Sequence, residues 1–109
     1  MGRSALGEFE HQVLLAVTRL GKESYSVPLV SELETVTGRD VSQAAVFMAL
    51  RRLERKGLLV SRIDDHAVPA TGRVRRYFKL TDEGMESLRR TRRTLVRLWD
   101  GLTAELDEV

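Results

Sequence analysis

Apolar residues recur at helical spacing in four stretches of the chain, and two short extended runs lie between the third and the fourth. The first stretch, residues 5–20, carries an apolar residue at every third or fourth position: Leu6, Phe9, Val13, Val17 and Leu20. This spacing predicts an amphipathic helix, which Gly21 ends. Leu14, Leu15 and Ala16 widen its apolar face, so we expect burial on two sides, against the core and against a partner.

Two further helices follow, joined by a link as short as a helix-turn-helix requires. The second is predicted to begin after Ser26 as the N-cap, with Pro28 in its first turn, and to end at Gly38. The third is predicted to begin after Ser42 and to end at Gly57. Its inner face consists of Val46, Ala49, Leu50 and Leu53.

Two short runs rich in branched and aromatic residues, 58–63 and 74–80, predict a β-hairpin, because the segment between them contains Pro69 and Gly72. Thr81 is then expected to cap a last helix of about 25 residues, or ~38 Å at 1.5 Å per residue.

This order of elements is that of a winged helix-turn-helix. We predict a mainly α fold with a β-hairpin wing. Residues 1–81 would form the DNA-binding domain, including the N-terminal helix, and residues 82–109 a long C-terminal dimerisation helix.

Charge is concentrated in the centre of the chain. The 109 residues carry a net charge of +2, yet residues 39–79 hold ten basic and four acidic residues, a net charge of +6. A basic centre between neutral or acidic ends suits a phosphate-binding surface, although a solvated charged face is the alternative. The 42% hydrophobic and 31% charged content is that of a globular protein.

The third helix is the candidate reader of double-stranded DNA. A helix in the major groove meets base edges with its N-terminal residues. Gln43 can pair with adenine through two hydrogen bonds, and Ser42 can bind bases or phosphate. Phe47 and Met48 are two large apolar groups on the outer face, expected to meet thymine methyls, sugar or a neighbouring element. Arg51, further along, suits the phosphate backbone better.

The alternative for the C-terminal half of this helix is that Arg51, Glu54 and Arg55 are surface residues that pair along the helix. The hairpin supplies a second candidate contact through three arginines: Arg73, Arg75 and Arg76. Alternation predicts that Arg75 faces outward if Phe78 faces the core. Arginine beside a groove can enter the narrow minor groove, whereas a hairpin charged only for solubility is the competing interpretation.

The last helix shows a heptad-like pattern of apolar residues, which Arg92 interrupts. Its members are Leu88, Leu95, Trp99, Leu102 and Leu106. A single helix cannot bury this seam against itself, so we expect it to pack on the first helix, including Phe9 and Val13, on a second copy, or on both. A homodimer would present two reading helices about 34–36 Å apart, one turn of DNA. Packing within one chain is the alternative.

Trp99 is the only tryptophan of the chain. Interface packing is its simplest role, but two copies in a dimer could flank a flat cavity and bind a small planar effector. The same helix carries a basic cluster: Arg89, Arg90, Arg92, Arg93 and Arg97. We expect a solvated face with some contact to DNA or to Glu8 and Glu10, and a membrane-surface helix is a weaker alternative.

Catalytic and metal chemistry finds no support in the residue pattern. The chain has no cysteine, and its two histidines, His11 and His66, lack a paired carboxylate pattern. The run from Asp64 to His66 is contiguous loop sequence and makes a poor metal site. The N-terminus resembles no secretory signal, and no run approaches the ~20 apolar residues that span a bilayer. We therefore expect a cytoplasmic protein that is not an enzyme, with no cofactor, no metal and no membrane partner.

From about residue 6 to residue 102 the chain resembles the PadR-type transcriptional regulators. The similarity rests on LGEFEHQVLLAV, SYSVPLVSELETVTGRDVS, AVFMALRRLERKGLL and GRVRRYFKLTDEG, together with the last helix. The RRLERKGL end is shared with other winged helices such as the MarR group. The resemblance implies a compact form with a single C-terminal helix, and a homodimeric repressor that a ligand or stress signal releases from promoter DNA.

Two positions depart from the family pattern. Phe47 stands where the family usually has a tyrosine that can bind a phosphate, so only its packing carries over. In the family, a glycine usually follows the tyrosine at the position of Tyr25, and here Ser26 takes its place. Tyr25 itself could contact a phosphate. Trp99 matches in kind a tryptophan that some members place at a central dimer pore. The competing function is a winged-helix protein-interaction module that binds a protein through Phe47 and Met48 without specific DNA binding.

Overall fold

The computed structural model describes residues 6–64 and 75–102, with only the backbone of Glu23. Within this part lie four α-helices and one antiparallel hairpin, in the predicted order. They are α1 (Glu8–Leu20), a short 3-10 helix (Gly21–Glu23), α2 (Ser26–Thr37), α3 (Gln43–Arg55), β1 (Leu59–Asp64), β2 (Arg75–Leu80) and α4 (Asp82–Trp99). The mainly α fold with a hairpin wing is confirmed.

The helix α1 begins at Glu8, later than the predicted start at residue 5. Gly7 is extended, with φ −68° and ψ 164°, and its N–H donates to Glu10 Oε1 at 3.4 Å. This bond satisfies a backbone donor at the start of the helix, where N–H groups have no partner within the helix.

The cap of α2 differs from the prediction. Tyr25, not Ser26, occupies the N-cap position, with φ −121° and ψ 174°, and Ser26 is the first helical residue. Pro28 lies in the first turn as predicted. Gly38 ends the helix in the left-handed region at φ 72°, and its N–H donates to the Glu34 carbonyl oxygen.

The caps of α3 and α4 are confirmed. Ser42 Oγ accepts from the Ala45 N–H at 3.1 Å, and Thr81 Oγ1 accepts from the Gly84 N–H at 2.9 Å. Gly84 packs so closely on the chain after α3 that a Cβ there would collide with the Leu58 carbonyl oxygen. This contact fixes where α4 leaves the domain.

The helix α4 is shorter than predicted. It spans 18 residues instead of about 25 and ends at Trp99. The chain then turns at Gly101, whose φ of 82° is rarely adopted by residues with a side chain. Leu102 therefore follows the helix instead of continuing its seam, and Leu106 lies outside the described residues.

Both strands begin one residue later than predicted, and β2 ends at Leu80 as predicted; Leu59 lies opposite Leu80 and Asp64 opposite Arg75. The Phe78 N–H donates to the Ser24 carbonyl oxygen at 2.9 Å, which ties β2 to the turn between α1 and α2. Phe78 is buried, as the alternation of the strand predicted.

A single apolar core joins all the helices and the hairpin. Its buried members are Val13, Leu14, Ala16, Val17, Leu29, Leu33, Val46, Ala49, Leu50, Leu53, Leu58, Leu59, Phe78 and Leu88. Each of α1 and α3 supplies four of these side chains, so the two helices hold the domain together and orient the outer face of α3. No helix in the described part is long and apolar enough to cross a membrane.

Candidate nucleic-acid interface

The first half of α3 presents an open face to solvent. Its inner residues, Val46 and Ala49 among them, are completely buried, while Phe47 and Met48 are 41% and 59% exposed. Gln43 is exposed at the first helical position, directly after the Ser42 cap. The residues predicted to face bases are therefore on one accessible surface.

Gln43 is held by the neighbouring helix. Its Nε2 donates to Ser26 Oγ at 3.2 Å, across the angle between α3 and the start of α2. Because an amide nitrogen carries two hydrogens, one N–H and the carbonyl oxygen remain for pairing with adenine. Ser26 was predicted to cap α2, and the structure places it as a hydrogen-bond partner of the candidate reading residue instead.

The second half of α3 is tied to acidic side chains. Arg52 Nε and Lys56 Nζ donate to Glu10 of α1 at 3.1 Å and 2.8 Å, and Arg51 Nε lies 3.6 Å from Glu54 Oε1. The pairing of Arg51 with Glu54 agrees with the alternative considered for this half of the helix. The charge that Arg51 offers to a phosphate is partly neutralised.

Glu10 is almost completely buried, yet its pKa lies below the usual value. Burial by itself raises the pKa, but hydrogen bonds from Lys56, Arg52 and the Gly7 N–H outweigh it. Glu10 was one of the alternative contacts expected for the arginines of the last helix, beside Glu8 and DNA. That expectation is wrong, because its carboxylate is already occupied by the end of α3.

On the hairpin, Arg75 faces outward and stacks on aromatic rings. Its Cζ lies 4.4 Å from the centroid of the Tyr25 ring, and its guanidinium donates to the Tyr77 hydroxyl at 3.5 Å. This hydrogen bond is the main reason that the pKa of Arg75 is raised. The negative charge of Asp64, opposite Arg75 on β1, raises the pKa further. Arg75 is therefore a permanent cation on the outer face of the hairpin.

Arg76 lies on the opposite face of the hairpin, towards α3. Its guanidinium donates to Ser61 Oγ at 2.9 Å, and Ser61 Oγ donates to Glu54 Oε2 at 2.6 Å. Of the predicted contacts, Arg51 thus pairs with the Glu54 carboxylate directly, and Arg76 is connected to it through Ser61. Arg73, the remaining wing candidate, lies outside the described residues.

Some of the residues predicted for dimerisation are buried inside the chain, and others are exposed. Val13 and Leu88 fill the core of the chain itself, and Phe9 packs against it, half-buried. Because Val13 and Leu88 have almost no exposed surface, they cannot form the main contact with a second copy. Leu95, Trp99 and Leu102 are 44%, 54% and 45% exposed and remain available.

Of these, Leu95 and Trp99 border an open groove of about 750 Å³ between α1 and α4. Its lining residues are His11, Leu15, Thr18, Met85, Leu88, Arg89, Arg92, Leu95, Val96, Trp99 and Asp100. Nδ1 of His11 is buried at the edge of the groove without a hydrogen-bond partner among the described residues, and burial lowers the His11 pKa. The groove is an apolar surface with two arginines at its border.

The arginines of α4 do not act as one cluster. Arg90 and Arg93 lie 3.9 Å and 3.5 Å from Glu86 on the same helix, whereas Arg89 and Arg92 border the groove. Pairing with Glu86 offsets part of the charge of Arg90 and Arg93.

Sequence reasoning passed over several residues that the structure brings to this surface. Arg62 stacks on Tyr77, and Ser61 links the hairpin to Glu54 of α3, for which only pairing along the helix was considered. The alternation of β1 does place Arg62 on the face away from Ser61, but pairing it with Tyr77 requires the strand register. Among the described residues, no group of three or more histidine, aspartate or glutamate side chains could hold a metal ion.

The model of the PadR-like family of transcriptional regulators matches residues 13–90. The chain belongs to this family. The match covers the core helices, the hairpin and the first half of α4, so it includes both the candidate reading helix and the described wing residues.

Solved structures agree with this membership. A PadR-family transcriptional regulator from Eggerthella lenta is 30% identical, covers 86% of this chain and 80% of its own, and superposes with a TM-score of 0.66. One from Clostridium difficile is 20% identical over 88% of this chain and 96% of its own, with a TM-score of 0.62.

The PcaV transcriptional regulator from Streptomyces coelicolor, solved with its natural ligand, is 23% identical over 96% of this chain and 66% of its own, with a TM-score of 0.70. The last two likenesses show the shared fold. No curated protein matches the chain in sequence.

Proposed function

We propose that this PadR-family protein is a homodimeric repressor that binds promoter DNA sequence-specifically in the cytoplasm and is released by a ligand or another signal. The observation that carries the proposal is the start of α3. A Ser42-capped helix offers Gln43, Phe47 and Met48 to solvent beside a stacked Arg75.

In this proposal Gln43 reads an adenine, Ser42 binds a base or a phosphate, and Phe47 and Met48 contact thymine methyls or sugar. Backbone contacts come from Tyr25, Arg73 and Arg75, with smaller contributions from Arg51 and Arg76. Arg51 and Arg76 contribute less because Glu54 offsets part of their charge.

The proposed dimer uses the exposed apolar side of α4. Leu95, Val96, Leu98 and Trp99 are all more than 40% exposed near the C-terminal end of α4, and Leu15 of α1 lines the same groove as Leu95, Val96 and Trp99. An exposed apolar surface of this kind is typical of a protein interface. A second copy would cover it and would bring two reading helices onto one face.

Replacing Leu95 by Arg tests the dimer, because it places a charge in the centre of that surface. Sedimentation equilibrium should show a dimer for the wild type and a monomer for Leu95→Arg. Val36→Arg is the matched control, since Val36 is 62% exposed on α2, away from the groove, and that variant should remain dimeric. A monomeric wild type would contradict the proposed assembly.

The effector site proposed for this protein is the groove beside Trp99. A small planar molecule could stack on the indole ring, with His11 Nδ1 as an unused polar atom at the edge. Quenching of the single tryptophan during titration with planar aromatic compounds would detect binding. Release of DNA by the same compound would connect the site to regulation.

Fluorescence anisotropy tests the DNA-binding proposal. A labelled duplex from upstream of the protein's own gene and a scrambled duplex of equal composition are titrated at two salt concentrations. Tight, salt-dependent binding with a clear preference for the native duplex is the expected result. Equal binding to both duplexes would contradict sequence-specific regulation through this promoter.

The exposure of Phe47 and Met48 also favours a second candidate, a protein-interaction module without specific DNA binding. This function predicts no duplex binding even at low salt. It further predicts that Phe47→Ala abolishes capture of a partner protein while leaving the fold intact.

A further inference from the structure

Four side chains form a continuous stack on the outer face of the hairpin and the turn before α2. Arg75 lies over the Tyr25 ring, the Tyr25 and Tyr77 rings meet edge to face with centroids 5.2 Å apart, and Arg62 Cζ lies 4.7 Å from the Tyr77 centroid. We call this arrangement the cation–aromatic stack. Two of its members, Arg62 and Tyr77, have no role in the function proposed above.

Stacking prepares both arginines for an anion. A guanidinium that lies flat on an aromatic ring keeps the N–H groups at its edge free to donate, and its side chain has already lost part of its rotamer freedom. The entropy cost of binding a phosphate is therefore smaller than for a freely rotating arginine. Arg62 is exposed, and no carboxylate within residues 6–64 and 75–102 forms an ion pair with it.

The stack is continuous with the base-reading end of α3. Tyr25 directly precedes Ser26, whose hydroxyl accepts from Gln43 Nε2. The backbone bond from Phe78 to Ser24 holds the hairpin against the same turn. These backbone and side-chain bonds therefore fix the position of the stacked arginines relative to the start of α3.

The other face of the hairpin offers no comparable site. Arg76 donates to Ser61, which is bonded to Glu54, so a carboxylate lies beside this arginine. A phosphate approaching there would meet the Glu54 carboxylate, which is hydrogen-bonded to Ser61 beside Arg76; on the outer face the carboxylate of Asp64 lies two residues from Arg62 along β1, where Arg62 stacks on Tyr77 instead.

We propose that Arg62 is a further phosphate-binding residue for the backbone of double-stranded DNA, and that Tyr77 is the positioning residue that holds Arg62 and Arg75 in place. This inference rests on the proposed DNA-binding function and extends it. Tyr77 touches both guanidinium groups and the Tyr25 ring, so it is the centre of the stack.

The decisive measurement is the salt dependence of duplex binding by Arg62→Ala. Each phosphate contact contributes about 0.9 to the slope of log Kd against log salt. Arg62→Ala should reduce this slope by about one and raise Kd about threefold to tenfold for native and scrambled duplexes alike. Lys79→Ala is the matched control, because it removes the same charge from the same face of the hairpin but from a side chain outside the stack. Its slope should remain that of the wild type.

A double-mutant cycle tests the role of Tyr77. If Tyr77 acts by holding the arginines, Tyr77→Leu should reduce the slope, and adding Arg62→Ala to it should change the slope less than in the wild-type background. Tyr77→Phe keeps the ring and should retain most of the slope. The NMR signals of the Arg62 δ protons should carry a ring-current shift that disappears in Tyr77→Leu and persists in Tyr77→Phe.

Failure of this inference and failure of the proposed function give different results. An unchanged slope in Arg62→Ala, with the wild type still binding DNA, overturns the inference alone. Additive effects in the cycle overturn the positioning role of Tyr77. A wild type that binds neither duplex at low salt overturns both the proposed function and the inference.

Discussion

The two ends of α3 differ in what surrounds their polar groups. At the start, Gln43 is bonded to a neutral serine and the nearby Arg75 is stacked on a tyrosine. At the end, Arg52 and Lys56 are bonded to Glu10. Cations that already have a carboxylate partner gain less from a phosphate, so the start of the helix is the more effective surface although the end carries more charge.

The comparison also separates two functions of basic residues within one helix. Arg52 and Lys56 connect α3 to α1 through hydrogen bonds to Glu10, whereas Arg75 and Arg62 stack on tyrosine rings, with Asp64 on the same face of the hairpin. The net charge of +6 between residues 39 and 79 combines both kinds and therefore overstates the charge that DNA would meet.

The largest effect is expected from Glu10→Gln, which removes the α1 carboxylate that binds Arg52 and Lys56 at the end of α3. Two cations lose their partner, so the free energy of unfolding should fall by about 1–2 kcal/mol, moderated by water that reaches Arg52 and Lys56. Urea denaturation measures this change. Glu32→Gln is the control, because its bond to the exposed Arg19 should contribute well under 1 kcal/mol. Equal losses in the two variants would remove the distinction between a buried and a surface pair.

The pH dependence of stability follows from the same carboxylate. The pKa of Glu10 is lower in the folded than in the unfolded protein, so its contribution is present above the unfolded value of 4.5 and is lost as the pH falls through the folded pKa. Urea midpoints measured between pH 6 and pH 3 should fall less for Glu10→Gln than for the wild type. Parallel curves would assign the acid sensitivity to other carboxyl groups.

Measurements of DNA binding can compare an arginine stacked on a tyrosine ring with one that is bonded to Glu10. Arg75→Ala should reduce the salt slope by about one and weaken binding to every sequence. Arg52→Ala should change the slope by much less, because Glu10 already neutralises Arg52. Anisotropy titrations at several salt concentrations measure both, and equal slope changes would show that the bond to Glu10 opens when DNA binds.

The smallest effect is expected from Ser26→Ala, which frees the Gln43 amide without touching the reading residue. An exposed hydrogen bond of 3.2 Å contributes about 0.5–1 kcal/mol at most. Discrimination for adenine at the position read by Gln43 should fall about twofold to fivefold, with an unchanged salt slope. Gln43→Ala should lose that discrimination entirely, and Ser31→Ala, an exposed serine elsewhere on α2, serves as the control. Uniform weakening across sequences in Ser26→Ala would argue for a phosphate contact instead.

The fold could be predicted from the sequence because its signals are local. Apolar periodicity and the caps at Ser42 and Thr81 depend on residues a few positions apart, and the structure shows both caps. The length of α4 could not be predicted in the same way. The seam continues to Leu106 in sequence, but the positive φ at Gly101 redirects the backbone after Trp99.

The sequence by itself determined the family, the order of the elements and the exposed start of α3, because helical spacing and capping residues are read along the chain. Only the tertiary structure decided which cations are free. The bonds from α3 to Glu10 join residues more than forty positions apart, and the contact between Tyr25 and Tyr77 joins two elements of the fold. Such pairings depend on how helices and strands pack, so no local pattern of residues can specify them.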